Sequence, residues 1–530
     1  MHRRRLLQAG GSAAVLAACS PQQPSAFELK GGWVGAKVER GHRLREPLSA
    51  RSSMADGPKR RARVLIIGGG VAGLACARSL AQAGIDDVAV LELEDEVGGN
   101  SRGHQMGGMA CPLGAHYLPL PGPDAPAVSQ LLEELGLSRQ LLGRTVFDER
   151  HLCHSPQERL FFQGQWLEGL LPPAADAKAQ AQYLHFARAV AAAKQRLGFA
   201  IPSRTVRWTA GHAELDAHTF AHWLDGQGIQ DPRLRWYLDY CCRDDFGADA
   251  ATVSAWAGIH YFASRHGFHP PGMDERAERD AVLTWPEGNA WLTRRMAEGL
   301  SDRIHSARTV LRVEAGRHEV RAAVWNERSQ SPEHWLAQEL VMATPLFIAQ
   351  RLLGDAAPQA LHDAAAQARY APWLVANLQL KGPLLQRVGA PPSWDNVVFG
   401  SQSLGYVDAM HQGLVPQTGA TVLTAYWALP QARRGELFQQ DWSYWLRQLL
   451  QQWGEVHPDL LTQLERADLM RWGHAMSIPV PGIRSSAALA ALSQRQQRVH
   501  FAHSDLAGYS VFEEAYTQGT RAAQQIQRKA

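Results

Sequence analysis

The fold of this chain is decided by residues 63–102, RVLIIGGGVAGLACARSLAQAGIDDVAVLELEDEVGGNSR. The apolar run at 64–67 predicts a buried parallel strand, and three glycines follow it in the spacing G-x-G-x-x-G. Small and apolar residues at helical spacing over 74–83 predict a helix, and a second apolar strand over 88–91 ends on Glu92, an acid placed to bond an adenosine ribose. Strand, glycine turn, helix, strand and acid in this order predict a βαβ unit that binds a dinucleotide, although the glycines alone would suit an ordinary βαβ turn.

Each residue of the first glycine turn has its own role in the predicted site. Gly68 permits the tight turn, Gly70 lets the backbone approach a pyrophosphate, and Gly73 lets the helix pack closely on the strand. The pyrophosphate is expected at the start of the helix, beside Val71 and Ala72. Unpaired N–H groups and the helix dipole favour anionic oxygens there.

A second glycine turn, VGGNSR at 97–102, follows soon after the acid. Together the two turns resemble the flavin-containing amine oxidase superfamily, which includes monoamine and polyamine oxidases, phytoene desaturases and protoporphyrinogen oxidase. In that family the second turn lies along the phosphates and ribityl chain of FAD, and a segment similar to PLGAHY at 112–117 runs beside the isoalloxazine ring. The contacts implied by these two segments are Gly98, Gly99, Asn100, Arg102, Leu113, Gly114 and Ala115.

The C-terminal segment RVHFAHSD at 498–505 also resembles the family. The resemblance implies that Asp505 bonds the ribityl hydroxyls, and His503 stands where the family usually has glycine. Ser510 and Glu513 then form the pattern S-x-x-E, which predicts a capping box at the start of a terminal helix.

The terminal helix is expected to matter for the flavin itself. In the family its N-terminus points at the flavin ring, which places Val511 and Phe512 nearest the ring. The helix dipole would stabilise the negative charge of reduced flavin. A separate strand of the family meets the adenine through its backbone, and the matching residue in this chain is Val310.

These segments predict an α/β fold. A Rossmann-like FAD-binding domain is expected at 63–125, 277–345 and 465–530, built from discontinuous segments. An α+β substrate domain is expected in between, with a helical part at 126–276 and a sheet at 346–464.

The first 19 residues resemble a twin-arginine lipoprotein signal, because RRRLL at 3–7 precedes a short apolar stretch that ends in LAAC at 16–19. The resemblance implies export of the folded protein and lipidation of Cys19 at the cell envelope, facing the periplasm or the outside. A basic disordered start is the alternative. Residues 20–62 are polar and Arg-rich, which predicts a tether or a loosely packed arm. No later segment is long and apolar enough to span a membrane, so the expected anchor is lipid only.

Composition and motifs exclude several classes of function. The 530 residues carry a formal net charge of +3 at pH 7 without a basic block, so nucleic acid is not an expected partner. The six cysteines lack C-x-x-C spacing, and no metal site is predicted. Cys241 and Cys242 are adjacent and are expected to be buried thiols rather than a vicinal disulfide. The chain has no P-loop or G-x-S-x-G elbow, and one dinucleotide fingerprint argues against a separate NAD domain.

The predicted reaction is hydride transfer from a small-molecule substrate to flavin N5, with O2 or an envelope redox partner as electron acceptor. FAD is expected to be noncovalent, because 471–482 lacks the cysteine that holds the flavin in monoamine oxidases. Val375 stands at the position of the family lysine that holds a water against N5, so the catalytic residues stay open. The substrate-side candidates are Trp472, His474, Tyr509, Tyr426 and His411.

Three functions remain compatible with the sequence. The first is oxidation of an amine or polyamine-like substrate. The second, which the missing lysine favours, is a flavin desaturase or dehydrogenase that acts on a prenyl or porphyrin-like substrate. The third is a noncatalytic envelope flavoprotein that serves as a scaffold or electron-transfer partner.

Overall fold

The computed structural model describes residues 30–46, 57–270, 281–413 and 419–528 of the chain. The predicted signal, with its lipidation site Cys19, lies outside the described residues. Within these ranges, no helix has the length and apolar character needed to cross a membrane.

The elements are numbered in chain order. The strands are β1 (Gly31–Trp33), β2 (Lys59–Ile67), β3 (Val88–Leu91), β4 (Gly103–Met106), β5 (Met109–Pro112), β6 (Tyr117–Pro119), β7 (Ser138–Leu141), β8 (Arg144–Phe147), β9 (Glu158–Phe162), β10 (Gln165–Glu168), β11 (Val282–Thr284), β12 (Ile304–His305), β13 (Arg308–Ala315), β14 (Val320–Asn326), β15 (Ser331–Met342), β16 (Tyr370–Leu380), β17 (Asp395–Val398), β18 (Tyr406–Asp408), β19 (Thr421–Ala428), β20 (Leu464–Ser477) and β21 (Val499–Phe501). The α-helices are α1 (Val38–His42), α2 (Val71–Gln82), α3 (Pro126–Glu134), α4 (Ala177–Leu197), α5 (Ala210–Asp216), α6 (Phe220–Gly226), α7 (Pro232–Phe246), α8 (Ala255–Tyr261), α9 (Ala290–Ala297), α10 (Leu346–Leu353), α11 (Gln359–Gln367), α12 (Arg434–Gln439), α13 (Trp442–Trp453), α14 (Leu460–Gln463), α15 (Ala487–Leu492) and α16 (Phe512–Gln527).

The first sheet, which we call the nucleotide sheet, has the order β12-β3-β2-β15-β14-β13, and β21 pairs with β15. β2 holds the predicted apolar strand and runs parallel to β3 on one side and to β15 on the other. Val64 and Ile66 pack with residues of α2, whereas Leu65 points to the opposite face, so both faces of β2 are buried. Parallel strands bring their carboxyl ends to one edge, and the glycine turn after β2 opens at that edge.

The second sheet, which we call the substrate sheet, has the order β1-β20-β16-β19-β18-β17-β9-β10. β16 pairs antiparallel with β19 and β20. Alternate side chains of β16 point to opposite faces, so Trp373 and Val375 pack with residues of helices α4 to α8. Leu374 and Ala376 pack with residues of α13 on the other face. Because helices cover both faces of the sheet at β16, nearly all residues of this strand are apolar.

This architecture confirms the predicted mixed α/β fold class. The nucleotide sheet draws its strands from three separated stretches of the chain, and the substrate sheet is flanked by helices. The region expected to be mainly helical, 126–276, also supplies β9 and β10 to the substrate sheet.

The predicted tether differs in the structure. Its residues 30–46 include β1, which pairs with β20, and Leu44, which is buried at 7% exposure. Two of the arginines that suggested a solvated arm instead make ion pairs, since Arg40 lies 2.9 Å from Asp95 and Arg43 lies 3.3 Å from Glu327.

Candidate flavin-binding and active site

The two glycine turns lie against each other at the carboxyl edge of the nucleotide sheet. A Cβ on Gly99 would lie 3.1 Å from the Cα of Gly70, so the turns approach at backbone distance. Gly68 has a φ of +106°, a value that favours glycine. A Cβ on Gly73 would lie 1.9 Å from the Gly68 carbonyl oxygen, and only glycine lets α2 pack this closely on β2.

A cavity of about 500 Å³ extends from these turns to the substrate sheet. All the predicted cofactor residues line it except Gly73, which packs behind the turn, and Leu113, whose carbonyl accepts the indole N–H of Trp472 at 2.7 Å. The lining residues of this set are Gly68, Gly70, Val71, Ala72, Glu92, Gly98, Gly99, Asn100, Arg102, Gly114, Ala115, Val310, Asp505, Val511 and Phe512. Segments that are distant in the sequence therefore meet around one space.

Glu92 faces this cavity from the end of β3 and is 8% exposed. One carboxylate oxygen accepts the N–H of Gly69 at 2.7 Å and the other accepts the N–H of Glu94 at 2.9 Å. Burial raises the pKa of Glu92, while these two N–H groups act against the rise. A carboxylate has about four acceptor positions, so Glu92 keeps capacity for the ribose hydroxyls predicted from the sequence.

Asp505 lies at the cavity wall and is 2% exposed. Its carboxylate accepts the N–H of Leu346 at 3.0 Å and the hydroxyl of Tyr370 at 2.5 Å. The imidazole of His503 lies 3.1 Å from the other oxygen. Burial acts to raise the pKa of Asp505, but His503 and the hydrogen bonds outweigh it, so the pKa is lowered. His503 has a φ of −143°, extended backbone that any residue adopts, and it replaces the family glycine without strain.

The predicted capping box at the start of α16 does not form, and this expectation was wrong. The hydroxyl oxygen of Ser510 accepts the N–H of Ser477 at 2.9 Å, and Glu513 pairs with Arg265 at 2.5 Å. Val511 caps the helix without a side-chain hydrogen bond. The buried guanidinium attracts the acid more strongly than a backbone N–H does, and the first residues of α16, Phe512 and Glu513, line the cavity.

Aromatic rings form the far end of the cavity. The ring of His116 stacks on Tyr426 with centroids 4.3 Å apart, and Trp373 lies 6.5 Å from Tyr426. Tyr426 donates its hydroxyl to the carbonyl of Gly114 at 3.0 Å, which fixes its ring. Burial lowers the pKa of His116 to about 3, so this imidazole is neutral at physiological pH.

Three of the five substrate-side candidates line the cavity: Trp472, His474 and Tyr426. Trp472 lies under the guanidinium of Arg102, 5.3 Å from its ring centroid. Burial, followed by the nearby Arg434, lowers the pKa of His474 to about 4. His474 is therefore neutral and supplies no positive charge near pH 7.

The other two candidates lie away from the cavity. Tyr509 is fully buried and donates its hydroxyl to Glu514 at 2.8 Å. His411 lies with Nε2 3.0 Å from the carbonyl oxygen of His154. Both therefore take part in internal packing. Val375 lines the cavity at the family lysine position, and no lysine is among the described residues that line it.

An acidic group at the substrate end was missed from the sequence. Asp244 and Asp245 end α7 and line the cavity, and Asp395 begins β17 nearby. Burial, then Asp245, raises the pKa of Asp244 to about 7, and burial, then Asp244, raises the pKa of Asp395 well above its ordinary value. The cation in this part of the cavity, Arg265, is already paired with Glu513 and lies 3.6 Å from Asp245. The sequence held one signal for this acidic site: two adjacent acids lie at the C-terminal end of a helix, where the helix dipole disfavours negative charge.

Comparisons with known proteins agree with this geometry. The family described as flavin containing amine oxidoreductase matches residues 71–527. Coproporphyrinogen III oxidase of Mycobacterium tuberculosis (strain ATCC 25618 / H37Rv) is 27% identical over 316 residues, which cover 57% of this chain and 63% of that protein. Polyamine oxidase 7 of Oryza sativa subsp. japonica is 36% identical over 58 residues, 11% of this chain and 12% of that protein. The chain thus spans less than two thirds of the length of these relatives.

Solved structures share the fold. Putrescine oxidase bound to putrescine has a TM-score of 0.63 at 18% identity, covering 88% of this chain and 99% of that chain. Cyclohexylamine oxidase from Brevibacterium oxydans IH-35A has a TM-score of 0.65 at 19% identity, with the same coverage of 88% and 99%. The predicted superfamily and enzyme class, a flavin-dependent oxidoreductase, are therefore confirmed.

Proposed function

The chain belongs to the family of flavin-containing amine oxidoreductases, and from that premise we propose that it is an FAD-dependent amine oxidase. Its cofactor is held without a covalent bond, and its substrate is a cationic amine or polyamine. The single observation that carries the substrate class is the acidic, aromatic end of the cavity, which Asp244 and Asp245 line beside an arginine, Arg265, that is already paired with Glu513.

The residues at the other end suit FAD. The paired glycine turns leave room for a pyrophosphate beside Gly70 and Gly99, and Glu92 has acceptor capacity for a ribose. The hydroxyl of Thr344 is buried at the cavity wall and has no hydrogen-bond partner among the described residues, which a bound cofactor would supply. Asp505 lines the same cavity, which supports its predicted bond to the ribityl chain.

The position of the thiols supports noncovalent binding. Cys76, Cys111, Cys153, Cys241 and Cys242 are free, and none of these described cysteines lines the cavity. Burial raises the pKa of Cys111 to about 12, so its thiol is protonated and a poor nucleophile.

FAD bound in this cavity would supply the oxidant that accepts a hydride from the substrate carbon. The rings of Tyr426, Trp373 and Trp472 would flank the substrate and exclude water. A carboxylate at Asp244 attracts an ammonium group, and its pKa of about 7 lets it accept the ammonium proton. Loss of that proton frees the nitrogen lone pair, which is needed before a hydride can leave the adjacent carbon.

The proposals for the electron acceptor and for the cellular location of the enzyme rest on the sequence. O2 or a redox partner at the cell envelope would reoxidise the flavin. Export by the twin-arginine route and a lipid on Cys19 would place the enzyme at the envelope, facing the periplasm or the outside.

A second candidate function is oxidation of a porphyrin-like substrate. It is supported by the mycobacterial relative and by Val375 at the lysine position. The acidic end of the cavity argues against it, since the carboxylates of such a substrate would meet Asp244 and Asp245.

The test is an aerobic substrate panel with the purified yellow protein. Spermidine, putrescine and an aromatic monoamine are compared with coproporphyrinogen III, and peroxide and porphyrin fluorescence are both measured. Peroxide formed with an amine supports the proposal. Porphyrin fluorescence without any amine turnover would replace it with the second candidate.

A further inference from the structure

Residues 30–46, which we call the strap, connect the two sheets on the cavity side of the molecule. At its first end, β1 pairs parallel with β20, and the N–H of Val34 donates to the carbonyl of Leu469 at 2.8 Å. Gly35 approaches Met470 so closely that a Cβ there would lie 2.6 Å from the sulfur. This end is fixed to the substrate sheet.

The other end of the strap is fixed to the nucleotide-binding part. The N–H of Lys37 donates to both carboxylate oxygens of Glu94 at 3.2 Å. Arg40 donates to the carbonyl of Leu93 at 2.9 Å, which is the residue directly after Glu92. Each contact attaches the strap to the loop that follows β3, at the predicted ribose site.

Two ion pairs extend this attachment. Arg40 lies 2.9 Å from Asp95, and Arg43 lies 3.3 Å from Glu327 while its guanidinium sits 5.3 Å from the Trp325 ring centroid. The strap is therefore anchored by several charge-assisted contacts, and its side chains are not simply solvated.

Between these anchors the strap faces the cavity. Gly41 and Leu44 line it, together with Val310 and Glu92 of the nucleotide sheet. A Cβ on Gly41 would have no atom within 4 Å, so this backbone borders open space. Leu44 packs in the same apolar cluster as Val310 and Leu352.

We propose that the strap is a further part of the cofactor site, which closes over the adenosine end of the cavity and slows the release of FAD. The proposal rests on the FAD binding of the proposed function but not on its amine substrate. The strap lies before the residues matched by the family, 71–527, so the family match does not include it. A cofactor without a covalent bond to the protein can dissociate, which gives a covering segment a direct effect on the release rate.

The first test removes the anchors at the nucleotide-binding end. The double variant Arg40→Ala/Arg43→Ala is purified with bound flavin, diluted, and followed by the rise of free-flavin fluorescence. We expect release to be about ten times faster than in the wild type, which corresponds to about 1.4 kcal/mol. Arg45→Ala is the matched control, because Arg45 ends the same short turn as Arg43 but is exposed, and its side chain makes no hydrogen bond or ion pair with a described residue; its release rate should match the wild type. Equal rates for the double variant and the wild type would overturn the proposal.

The second test does not depend on the stability of the double variant. Gly41→Phe places a ring in the open space beside the strap, and Gly122→Phe places one on an exposed loop that does not line the cavity. We expect lower flavin content per folded protein in Gly41→Phe alone, with circular dichroism unchanged in both. Full flavin content in Gly41→Phe would contradict the proposal. A wild type that binds no FAD would contradict the proposed function as well, whereas a flavin-bound wild type that oxidises no amine would leave the strap result intact.

Discussion

Asp244 is one of two carboxyl groups on which the charge of the substrate end depends. Its pKa is raised to about 7, first by burial and then by Asp245, and Arg243 acts in the opposite direction. Glu158 also raises this pKa, and burial, followed by Asp244 and Glu158, raises the pKa of Asp395 well above its ordinary value. Burial also raises the pKa of the adjacent Asp245 to about 6, against the opposing effect of Arg265, and Asp245 lines the same cavity. The ionisation of these two carboxylates near neutral pH therefore decides how strongly an ammonium group is attracted.

We expect amine binding to tighten as the pH rises through about 7. Below this pH Asp244 is protonated and neutral, and above it the carboxylate attracts the ammonium. An amine that stays charged between pH 6 and 8 isolates this effect, with its Kd taken from the saturation of anaerobic flavin reduction. Asp244→Asn should bind about tenfold more weakly at pH 8 and lose the pH dependence near pH 7, leaving only that of Asp245 near pH 6, since a hydrogen bond to a charged group contributes about 1.5–3 kcal/mol.

Asp249→Asn is the matched control, because Asp249 is exposed on the loop that follows α7. It should keep the wild-type affinity and pH profile. A wild-type Kd that is constant from pH 6 to 8 would contradict the role of Asp244.

Gly73 tests the packing beneath the cofactor turn. Gly73→Ala would place a methyl group 1.9 Å from the Gly68 carbonyl oxygen, so α2 or β2 must shift. We expect a loss of about 1–3 kcal/mol in the free energy of unfolding, together with reduced flavin content. Gly226→Ala, in an exposed position at the end of α6, meets no atom within 4 Å and should change neither quantity. Equal stability of the two variants would refute this account of the turn.

At the scale of elements, α16 shows how a distant partner overrides a local pattern. Ser510 and Glu513 satisfy the sequence rule for a capping box, yet Glu513 pairs with Arg265, which is 248 residues away in the sequence. Both partners are nearly buried, with side-chain exposures of 4% and 8%. The start of α16 is therefore positioned by an ion pair to the substrate domain.

Glu513→Ala should lower the free energy of unfolding by about 3–5 kcal/mol, because it leaves a buried guanidinium without its closest partner. Ser510→Ala removes one hydrogen bond to Ser477 and should cost about 1 kcal/mol. Thermal unfolding of the flavin-free proteins separates the two. A larger loss for Ser510→Ala would favour the capping box over the ion pair.

The same contrast explains what the sequence could predict. The elements β2, α2 and β3 follow from signals in adjacent residues, and the family resemblance supplied the cofactor residues that line one cavity. Asp244 and Asp395 come from a helix end and a strand start that only the tertiary fold brings together. Tyr509 was misplaced for the same reason, since its burial depends on contacts with α8.

At the scale of the whole molecule, the strap joins the two sheets, and the predicted lipid anchor lies upstream of it. The polar, Arg-rich composition predicted a loose arm. Composition alone cannot show that acids on other elements pair with Arg40 and Arg43. No local pattern in the sequence therefore predicted that residues 30–46 pack in an ordered way.

Lipidation predicts a change in the distribution of the protein between cell fractions. Cys19→Ala should move the exported protein from the membrane to the soluble fraction, because a buried acyl chain contributes about 0.8 kcal/mol per CH2 group. Ser20→Ala should leave it with the membrane. Fractionation followed by immunoblotting gives the result, and a Cys19→Ala protein that still sediments with membranes would contradict the lipid anchor.

The central claim is that a noncovalent flavin in this cavity is reduced by an amine. The most direct measurement is an anaerobic absorbance titration of the purified protein with spermidine, putrescine and an aromatic monoamine, with acid precipitation of a parallel sample. We predict that at least one amine bleaches the long-wavelength flavin band and that the acid supernatant is yellow. A yellow protein that none of these amines bleaches would contradict the amine oxidase assignment, and a colourless protein would contradict flavin binding itself.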